Sequence, residues 1–393
     1  MKRIFLIFTV LITCFALAGP VLGDSSWPSS GEKTYLAQIS QNKVQPGVLM
    51  LLLDEPDPGP PSPAGSSPVL DTGQTKCYDN EKEIQCPWPG EPFYGQDAQY
   101  PGRVRSYTKL DRYRDDLPDG EVHEDDGGRW ITTRDNTSGC TWEIKTNDNW
   151  LTDYDWYDAQ FFIAELNENE FGRITDWRLP TRQELVSLVN RGTGTPNIDS
   201  EWFHITRSAG YWTGTDFVLD IDHEAWLVTF NRGTMTYGDK KDKRFVRAVS
   251  CGVLVPQPLQ DNSNGTVTDP NTGLMWQKCN YGQEWNGSEC EGDLALLNWE
   301  QALEAAENLS WAGHDDWRLP NINELLTLVD DQISHPAMDA LFVTDDDNRS
   351  YWSSTTQNTW MDRAWRVEFG TGTSFDDSKS DNRFVRAVRT VQN

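Results

Sequence analysis

Basic residues are scarce in this chain: 34 Lys and Arg stand against 61 Asp and Glu, a formal charge of −27. Phosphate contacts need clustered Lys and Arg, and a field of this sign repels polyanions, so nucleic acid is not an expected partner. Long apolar runs are missing as well. None reaches the ~18–20 residues that a spanning helix needs, and a mean hydropathy of −0.64 excludes a multi-span membrane protein. There is no C-x-x-C pair of the zinc-binding kind and no Gly-X-Y tract to make a collagen trimer. No H-E-x-x-H, G-x-S-x-G, phosphate-loop or dinucleotide-binding glycine pattern occurs either. Catalysis therefore has no positive support in the sequence. Aromatic residues, by contrast, are abundant: 18 Trp, 12 Tyr and 15 Phe in 393 residues. With 37% hydrophobic residues the chain is too apolar to stay disordered, and its length predicts two or three domains.

The amino terminus predicts export. Lys2 and Arg3 precede an apolar run from Ile4 to Ala18, Gly19-Pro20 breaks it, and Val21-Leu22-Gly23 offers small residues before Asp24. This is the order of a secretory signal peptide, residues 1–23. Its removal leaves 32 basic against 61 acidic residues, a charge of −29, and no membrane span. Periplasm, cell surface and external medium all remain open as destinations. Six cysteines then remain: Cys77, Cys86, Cys140, Cys251, Cys279 and Cys290. An even number in an exported chain reads as disulfides. Closeness in sequence favours Cys77–Cys86 and Cys279–Cys290, which leaves Cys140–Cys251 as a long-range tie.

Residues 24–68 form an N-terminal segment. Within it Gly47 to Leu53 suits one buried strand, and Asp54 to Pro68 is a Pro/Gly/Ser-rich linker. Residues 69–127 are a Cys-containing leader. After it the sequence repeats itself. Asp176-Trp-Arg-Leu-Pro180 recurs as Asp316-Trp-Arg-Leu-Pro320, and Tyr211-Trp-Thr213 as Tyr351-Trp-Ser353. Ala225-Trp226 returns as Ala364-Trp365, and Arg244-Phe-Val-Arg-Ala-Val249 as Arg383-Phe-Val-Arg-Ala-Val388. Several blocks in one order predict two copies of one module, 128–251 and 264–391, joined by a linker at 252–263.

Each copy reads as a capped helix, a second capped helix and several antiparallel strands. Asn298 with Gln301 fits a capping box, and Trp299, Ala302, Leu303, Ala306 and Leu309 line one helical face. Thr181 with Glu184, and Asn321 with Glu324, cap the second helix, whose stripes are Leu185, Leu188, Val189 and Leu325, Leu328, Val329. Tyr351 to Thr355, Arg363 to Phe369 and Arg383 to Val388 are β-type, with turn chemistry at Gly370-Thr-Gly372. The fold class is α+β, with the helices segregated from a sheet.

The order W-x-x-A, W-R-L-P-[TN]-x-x-E-L, Y-W-[TS]-[GS]-[TS], A-W, R-F-V-R-A-V resembles the Lcl C-terminal domain family. Asp71-Thr-Gly-Gln-Thr-Lys-Cys-Tyr78 and Phe93-Tyr-Gly-Gln-Asp-Ala98 look like the run that precedes this domain in many members, so the likeness covers residues 69–391. The ending is also similar to the C-type-lectin-like superfamily. The resemblance implies tandem C-type-lectin-like modules, each of two helices and one small twisted antiparallel sheet, with recognition carried by loops on one side. It also implies adhesion-type binding, because the family takes its name from a collagen-like surface adhesin that binds sulfated glycosaminoglycans.

Ten tryptophans fall into repeat-matched pairs, namely Trp142/Trp276, Trp156/Trp299, Trp177/Trp317, Trp212/Trp352 and Trp226/Trp365. Large side chains kept at fixed fold positions predict core. Among the unmatched ones, Trp150, Trp202, Trp285 and Trp360 are candidates for ligand binding, since loop aromatics stack on sugar faces; packing of the loops themselves is the alternative. Asp345, Asp346, Asp347, Asp376, Asp377 and Asp381 offer oxygen ligands of the kind calcium takes, although solvated loop acids would look the same. Arg178 with Glu184, and Arg318 with Glu324, predict local ion pairs. Arg247 and Arg386, set in apolar strands, are expected to snorkel or pair. The function expected from this pattern is an exported, non-enzymatic binding protein that engages glycans or surface proteins. An exported enzyme on a formylglycine-generating-enzyme-like fold and a structural part of a surface assembly are the alternatives.

Overall fold

The computed structural model describes residues 67–252, 256–342 and 350–391. The export signal, the Gly47 to Leu53 strand, the linker up to residue 66 and Asp345, Asp346 and Asp347 lie outside the described residues. A small hairpin, β1 (Cys77–Tyr78) and β2 (Glu83–Ile84), opens the described chain. Copy 1 follows as β3 (Tyr107–Leu110), β4 (Thr132–Asp135), β5 (Thr141–Glu143), α1 (Trp156–Glu168), α2 (Arg182–Ser187), β6 (Gly210–Asp216), β7 (Glu224–Thr229), β8 (Met235–Asp239) and β9 (Val249–Ser250). Copy 2 runs β10 (Gln260–Asp261), β11 (Thr266–Asp269), β12 (Leu274–Gln277), a hairpin of β13 (Glu284–Trp285) and β14 (Cys290–Glu291), then α3 (Trp299–Glu307), α4 (Ile322–Leu326), β15 (Ser350–Thr356), β16 (Arg363–Glu368), β17 (Thr373–Ser378) and β18 (Val388–Thr390).

The caps fall where the sequence puts them. Asn298 with Gln301, Thr181 with Glu184 and Asn321 with Glu324 form reciprocal capping boxes, which satisfy helix-terminal N–H groups that would otherwise be orphaned. The same two glutamates each accept a forked guanidinium. Arg178 reaches Glu184 at 2.7 Å through both terminal nitrogens, and Arg318 reaches Glu324 at 2.7 and 2.6 Å. The W-R-L-P block is thus a device that ties the incoming chain to the first turn of the helix. Cys77–Cys86, Cys140–Cys251 and Cys279–Cys290 are the three disulfides, the covalent state of an oxidising compartment. No helix of the described residues is long and apolar enough to cross a membrane.

Two expectations need correction. Each copy holds two main antiparallel sheets rather than one, β3-β4-β5-β9 with β6-β7-β8, and β10-β11-β12-β18 with β15-β16-β17, and copy 2 adds the two-stranded β13-β14 hairpin. The Arg383 to Val388 segment is also not one strand. It bonds Leu297 at Arg383, Ser350 at Phe384 and Arg318 at Val388, and joins a sheet ladder only at β18. The cause is Arg386, which does not snorkel. It is wholly buried where this segment passes between sheets, and it donates to the carbonyls of Gln277 and Lys278 at 2.8 and 2.6 Å. Arg247 is buried in the same way and donates to Glu143 O at 2.7 Å.

The cores repeat as the elements do. Ala159, Trp177, Leu179, Trp212, Ala225, Val246 and Ala248 pack together in copy 1, and Ala302, Trp317, Leu319, Trp352, Ala364, Val385 and Ala387 pack together in copy 2. A third, larger cluster is common to both copies and contains Trp142, Trp226, Val189, Trp276, Val329 and Trp365. Nine of the ten paired tryptophans are buried; Trp156 alone is only partly covered.

The contacts between the copies are reciprocal. Position 191 corresponds to 331, and 183 to 323. Arg191 Nη1 donates to Asn323 Oδ1 at 2.8 Å, and Gln183, with its amide turned to donate, reaches Asp331 Oδ2 at 3.3 Å. Met235 and Ser374 are counterparts of each other, and Met235 N donates to Ser374 Oγ at 3.0 Å. A residue can touch its own counterpart only on a symmetry axis, so the copies pair about a pseudo-two-fold in the manner of an isologous dimer. Arg182, wholly buried, crosses the same junction to form an ion pair with Asp331 and to bond Val329 O at 3.0 Å.

Candidate functional site

The leader breaks this symmetry. It begins near the pseudo-axis, where Asn323 Nδ2 donates to Leu70 O at 3.0 Å and Arg191 N to Thr72 O at 2.7 Å. Gly73 (φ 87°) then turns the chain so tightly that a Cβ would lie 1.9 Å from Asn190 Oδ1. Beyond it the leader lies on copy 2. The Gln74 amide caps the end of β15, accepting from Thr356 N at 3.0 Å and donating to Thr356 O at 2.8 Å. Asp97 Oδ2 accepts from the hydroxyls of Thr72 at 2.8 Å and Thr355 at 2.6 Å. Phe93 rests against Trp299 with ring centroids 6.3 Å apart. Lys379 Nζ lies 3.9 Å from the centroid of the same indole and donates to Asp79 O at 2.8 Å. From Arg103 onward the leader turns back to copy 1, with Arg103 Nη2 donating to Thr137 O at 3.5 Å and β3 pairing with β4.

Burial shifts the protonation of this contact. It pushes the Asp97 carboxyl up to about 7 against its two hydroxyl hydrogen bonds, and the Lys379 ammonium down to about 7. Glu307 is likewise pushed up to about 7 by burial, with Tyr100 OH donating to it at 2.6 Å. Beside Glu307 an open cleft lies between leader and α3, lined by Glu91, Phe93, Tyr94, Glu300, Glu304 and Glu307. Sequence reasoning missed this cleft. Glu307 is one of 61 acidic residues, and only the docked leader distinguishes it.

The four candidate tryptophans stand on separate segments, Trp150, Trp202 and Trp360 on loops and Trp285 in the β13 hairpin strand, and no ring contact joins any two of them among the described residues. Each has a cation over its ring: Arg207 for Trp150 at 5.1 Å, Lys109 for Trp202 at 5.5 Å, Lys278 for Trp285 at 4.7 Å and Arg232 for Trp360 at 4.6 Å. Trp202 also packs on the shared core, and its carbonyl accepts from Thr133 Oγ1 at 2.8 Å. Trp360 is the most open of the four, 40% exposed. It belongs to copy 2 and its cation to copy 1, while next to it Asn358 Nδ2 donates to the carbonyls of Arg191 and Thr193 at 2.7 and 2.8 Å. The Trp360 platform is therefore built by both copies.

Residues 131–250 and 265–389 each match the Lcl C-terminal domain. The chain belongs to the Lcl C-terminal domain family. No curated protein matches it. Both matches open on equivalent strands, since residue 131 directly precedes β4 and residue 265 directly precedes β11. They close at β9 and in β18. The leader elements that cover α3 lie outside both Lcl C-terminal domains.

Within the second Lcl C-terminal domain the three described candidate calcium ligands are engaged by guanidiniums. Asp376 pairs with Arg363, Asp377 with Arg366 and Arg383, and Asp381 with Arg383 at 3.3 Å. These carboxylates do not converge on a common centre, so among the described residues they form a charge lattice along the sheet and not a cation cage. Cys140, Glu184 and Cys251 come within metal-ligand reach of one another, but both sulfurs are spent in a disulfide. His123 and His204 meet as stacked rings 4.9 Å apart, an arrangement that suits packing rather than chelation.

Proposed function

We propose that this is an exported, non-enzymatic binding protein of adhesion type, with a C-type-lectin-like architecture in each Lcl C-terminal domain and loops that recognise glycans or surface proteins. Support comes from small antiparallel sheets with two helices per copy, from three disulfides, and from aromatic rings fixed by cations on loops and on the β13 hairpin. The observation that carries the reading is Trp360. Its indole is exposed at the junction of the copies and backed by Arg232, which leaves one apolar face for a sugar ring and nearby polar groups to orient it. Glycan-array and surface-protein pull-down screens of the full chain, with and without Ca²⁺, test it. A ligand whose affinity drops roughly tenfold in Trp360→Ala is the expected result; absence of any ligand in both conditions overturns the reading.

A second reading has one observation in its favour. Glu307, pushed up to about 7 by burial beside three further glutamates in a cleft, has the properties of a general acid. An exported hydrolase would then show activity on a glycoside panel that disappears in Glu307→Gln. No turnover on such a panel leaves Glu307 as a clamp for the leader.

A further inference from the structure

The pseudo-two-fold gives the chain two equivalent faces but only one leader to cover them. The face it covers belongs to copy 2; its counterpart on copy 1 keeps three of the contacting side chains, a tryptophan, a lysine and a threonine. Trp156 corresponds to Trp299, and each indole N–H donates to a strand carbonyl, Thr213 O at 2.9 Å and Ser353 O at 2.8 Å. Lys240 corresponds to Lys379 and sits over Trp156 at 4.3 Å; where Lys379 donates to the leader, Lys240 donates to Asp216 Oδ1 and Ile221 O, both at 2.6 Å. Thr215 corresponds to Thr355. Each hydroxyl accepts a helix-start N–H, from Arg182 at 3.2 Å and Ile322 at 3.0 Å. The Thr355 hydroxyl then donates to Asp97, whereas no acceptor takes the Thr215 proton among the described residues. Positions 354–356 are buried beneath the leader; Gly214 and Asp216 are exposed and Thr215 half-buried.

The helix faces differ in one informative way. Where α3 offers Glu300, Glu304 and Glu307 to the leader, α1 offers Tyr157, Phe161 and Ala164 at the matching positions, all exposed and Phe161 by 74%. An aromatic stripe on a helix rim, beside a strand end built to accept a segment, is not what solvent alone requires.

We propose that the copy 1 face formed by Trp156, Tyr157, Phe161 and Gly214 to Asp216 docks a leader-type segment of a separate polypeptide. Its occupant is a turned segment with an aromatic followed closely by glycine, as Phe93-Tyr94-Gly95 is, where Phe93 and Gly95 both take positive φ (64° and 96°) ahead of a short 3-10 turn at Asp97–Gln99. It carries a carboxylate two residues after that glycine for the Thr215 hydroxyl, as Asp97 serves Thr355. Where the chain's own leader places Tyr100 against Glu307, the occupant bears an apolar side chain, because Ala164 and Phe161 offer nothing to a hydroxyl. The proposal stands apart from glycan binding at Trp360, and either can fail without the other.

The test uses the intact, disulfide-bonded protein and a synthetic, disulfide-closed peptide of residues 69–103 as the probe, titrated by calorimetry. One site per chain is expected, with affinity falling at least tenfold in Phe161→Glu and rising when the peptide carries Tyr100→Leu. Phe161 is mostly exposed, so an unchanged melting temperature confirms that the variant folds. Hydrogen exchange on the complex locates the peptide, with slowing expected at 157–164 and 214–216. Binding weaker than about 1 mM, binding indifferent to Phe161→Glu, or slowing confined to α3 through exchange with the resident leader would each overturn the proposal.

Discussion

At the scale of single residues, the paired tryptophans show how one sequence motif acquires two roles. Trp299 and Trp156 make the same indole hydrogen bond, yet Trp299 is sealed under Phe93 and Trp156 is left at the surface of its cluster. Truncating a fully buried indole costs about 3–5 kcal/mol, because transfer free energy is lost and a cavity remains. Trp299→Ala is therefore expected to lower the unfolding free energy by about that amount, and Trp156→Ala by roughly half as much. Urea unfolding of the disulfide-intact protein measures both; equal costs would mean that both faces are covered alike. The buried arginines teach a related lesson. A cation in an apolar strand reads as a side chain reaching for water, but Arg247 and Arg386 instead collect backbone carbonyls where the chain crosses between sheets. Residue type could not reveal this, because the acceptors come from segments over a hundred positions away.

Among the elements, α2 and α4 and the leader decide how the copies meet. Arg182 and Asp331 are buried opposite charges on either side of the junction, and their counterparts, Ile322 and Arg191, do not repeat the pair. Removing one partner strands the other in the interior, so Arg182→Met is expected to cost about 3–5 kcal/mol. Arg182→Met combined with Asp331→Leu is expected to recover most of it. Denaturation of the four proteins of that double-mutant cycle gives the coupling, and additive costs would show that the two side chains act independently. The leader contact should respond to pH. Asp97 and Glu307 have folded-state values near 7, raised above the ~4 of an unfolded carboxyl. Their contribution is complete below pH ~4 and is lost as pH rises through 7. Lys379, depressed to about 7, acts oppositely: its contribution is complete only above pH ~10 and is lost as pH falls through 7. Asp71 and Glu324 reinforce the shift of Asp97, while Arg318 opposes that of Glu307. The contact is therefore weakest near neutrality. Hydrogen exchange across residues 93–100, corrected for the intrinsic rate, should be more protected at pH 5 than at pH 7, with Asp97→Asn reducing the difference. Greater protection at pH 7 would contradict this assignment.

For the molecule as a whole, local features were legible in the sequence and relational ones were not. Capping boxes, the Arg–Glu forks and the two short-range disulfides are set by residues a few positions apart, so motif and spacing sufficed to place them. The repeat itself was legible because its blocks recur in order. What the residues could not show is that the copies share a core, that Met235 meets Ser374, or that the leader chooses copy 2. The Gln74 contact with Thr356 spans 282 positions, and nothing near Gln74 distinguishes Thr356 from its counterpart Asp216. The candidate site was likewise half visible. Unmatched tryptophans stood out by failing to repeat, whereas on the open face of copy 1 Trp156 and Thr215 do repeat, and the change from Glu300 and Glu304 to Tyr157 and Phe161 gains meaning only once the leader is seen on copy 2. That asymmetry, one face covered and its twin left open, is the centre of the account, and hydrogen exchange on the intact protein reads it directly. The amide of Thr356, bonded by Gln74, should exchange at least roughly tenfold more slowly than that of Asp216, with the same ordering between α3 and α1. Equal protection at the two strand ends would contradict it.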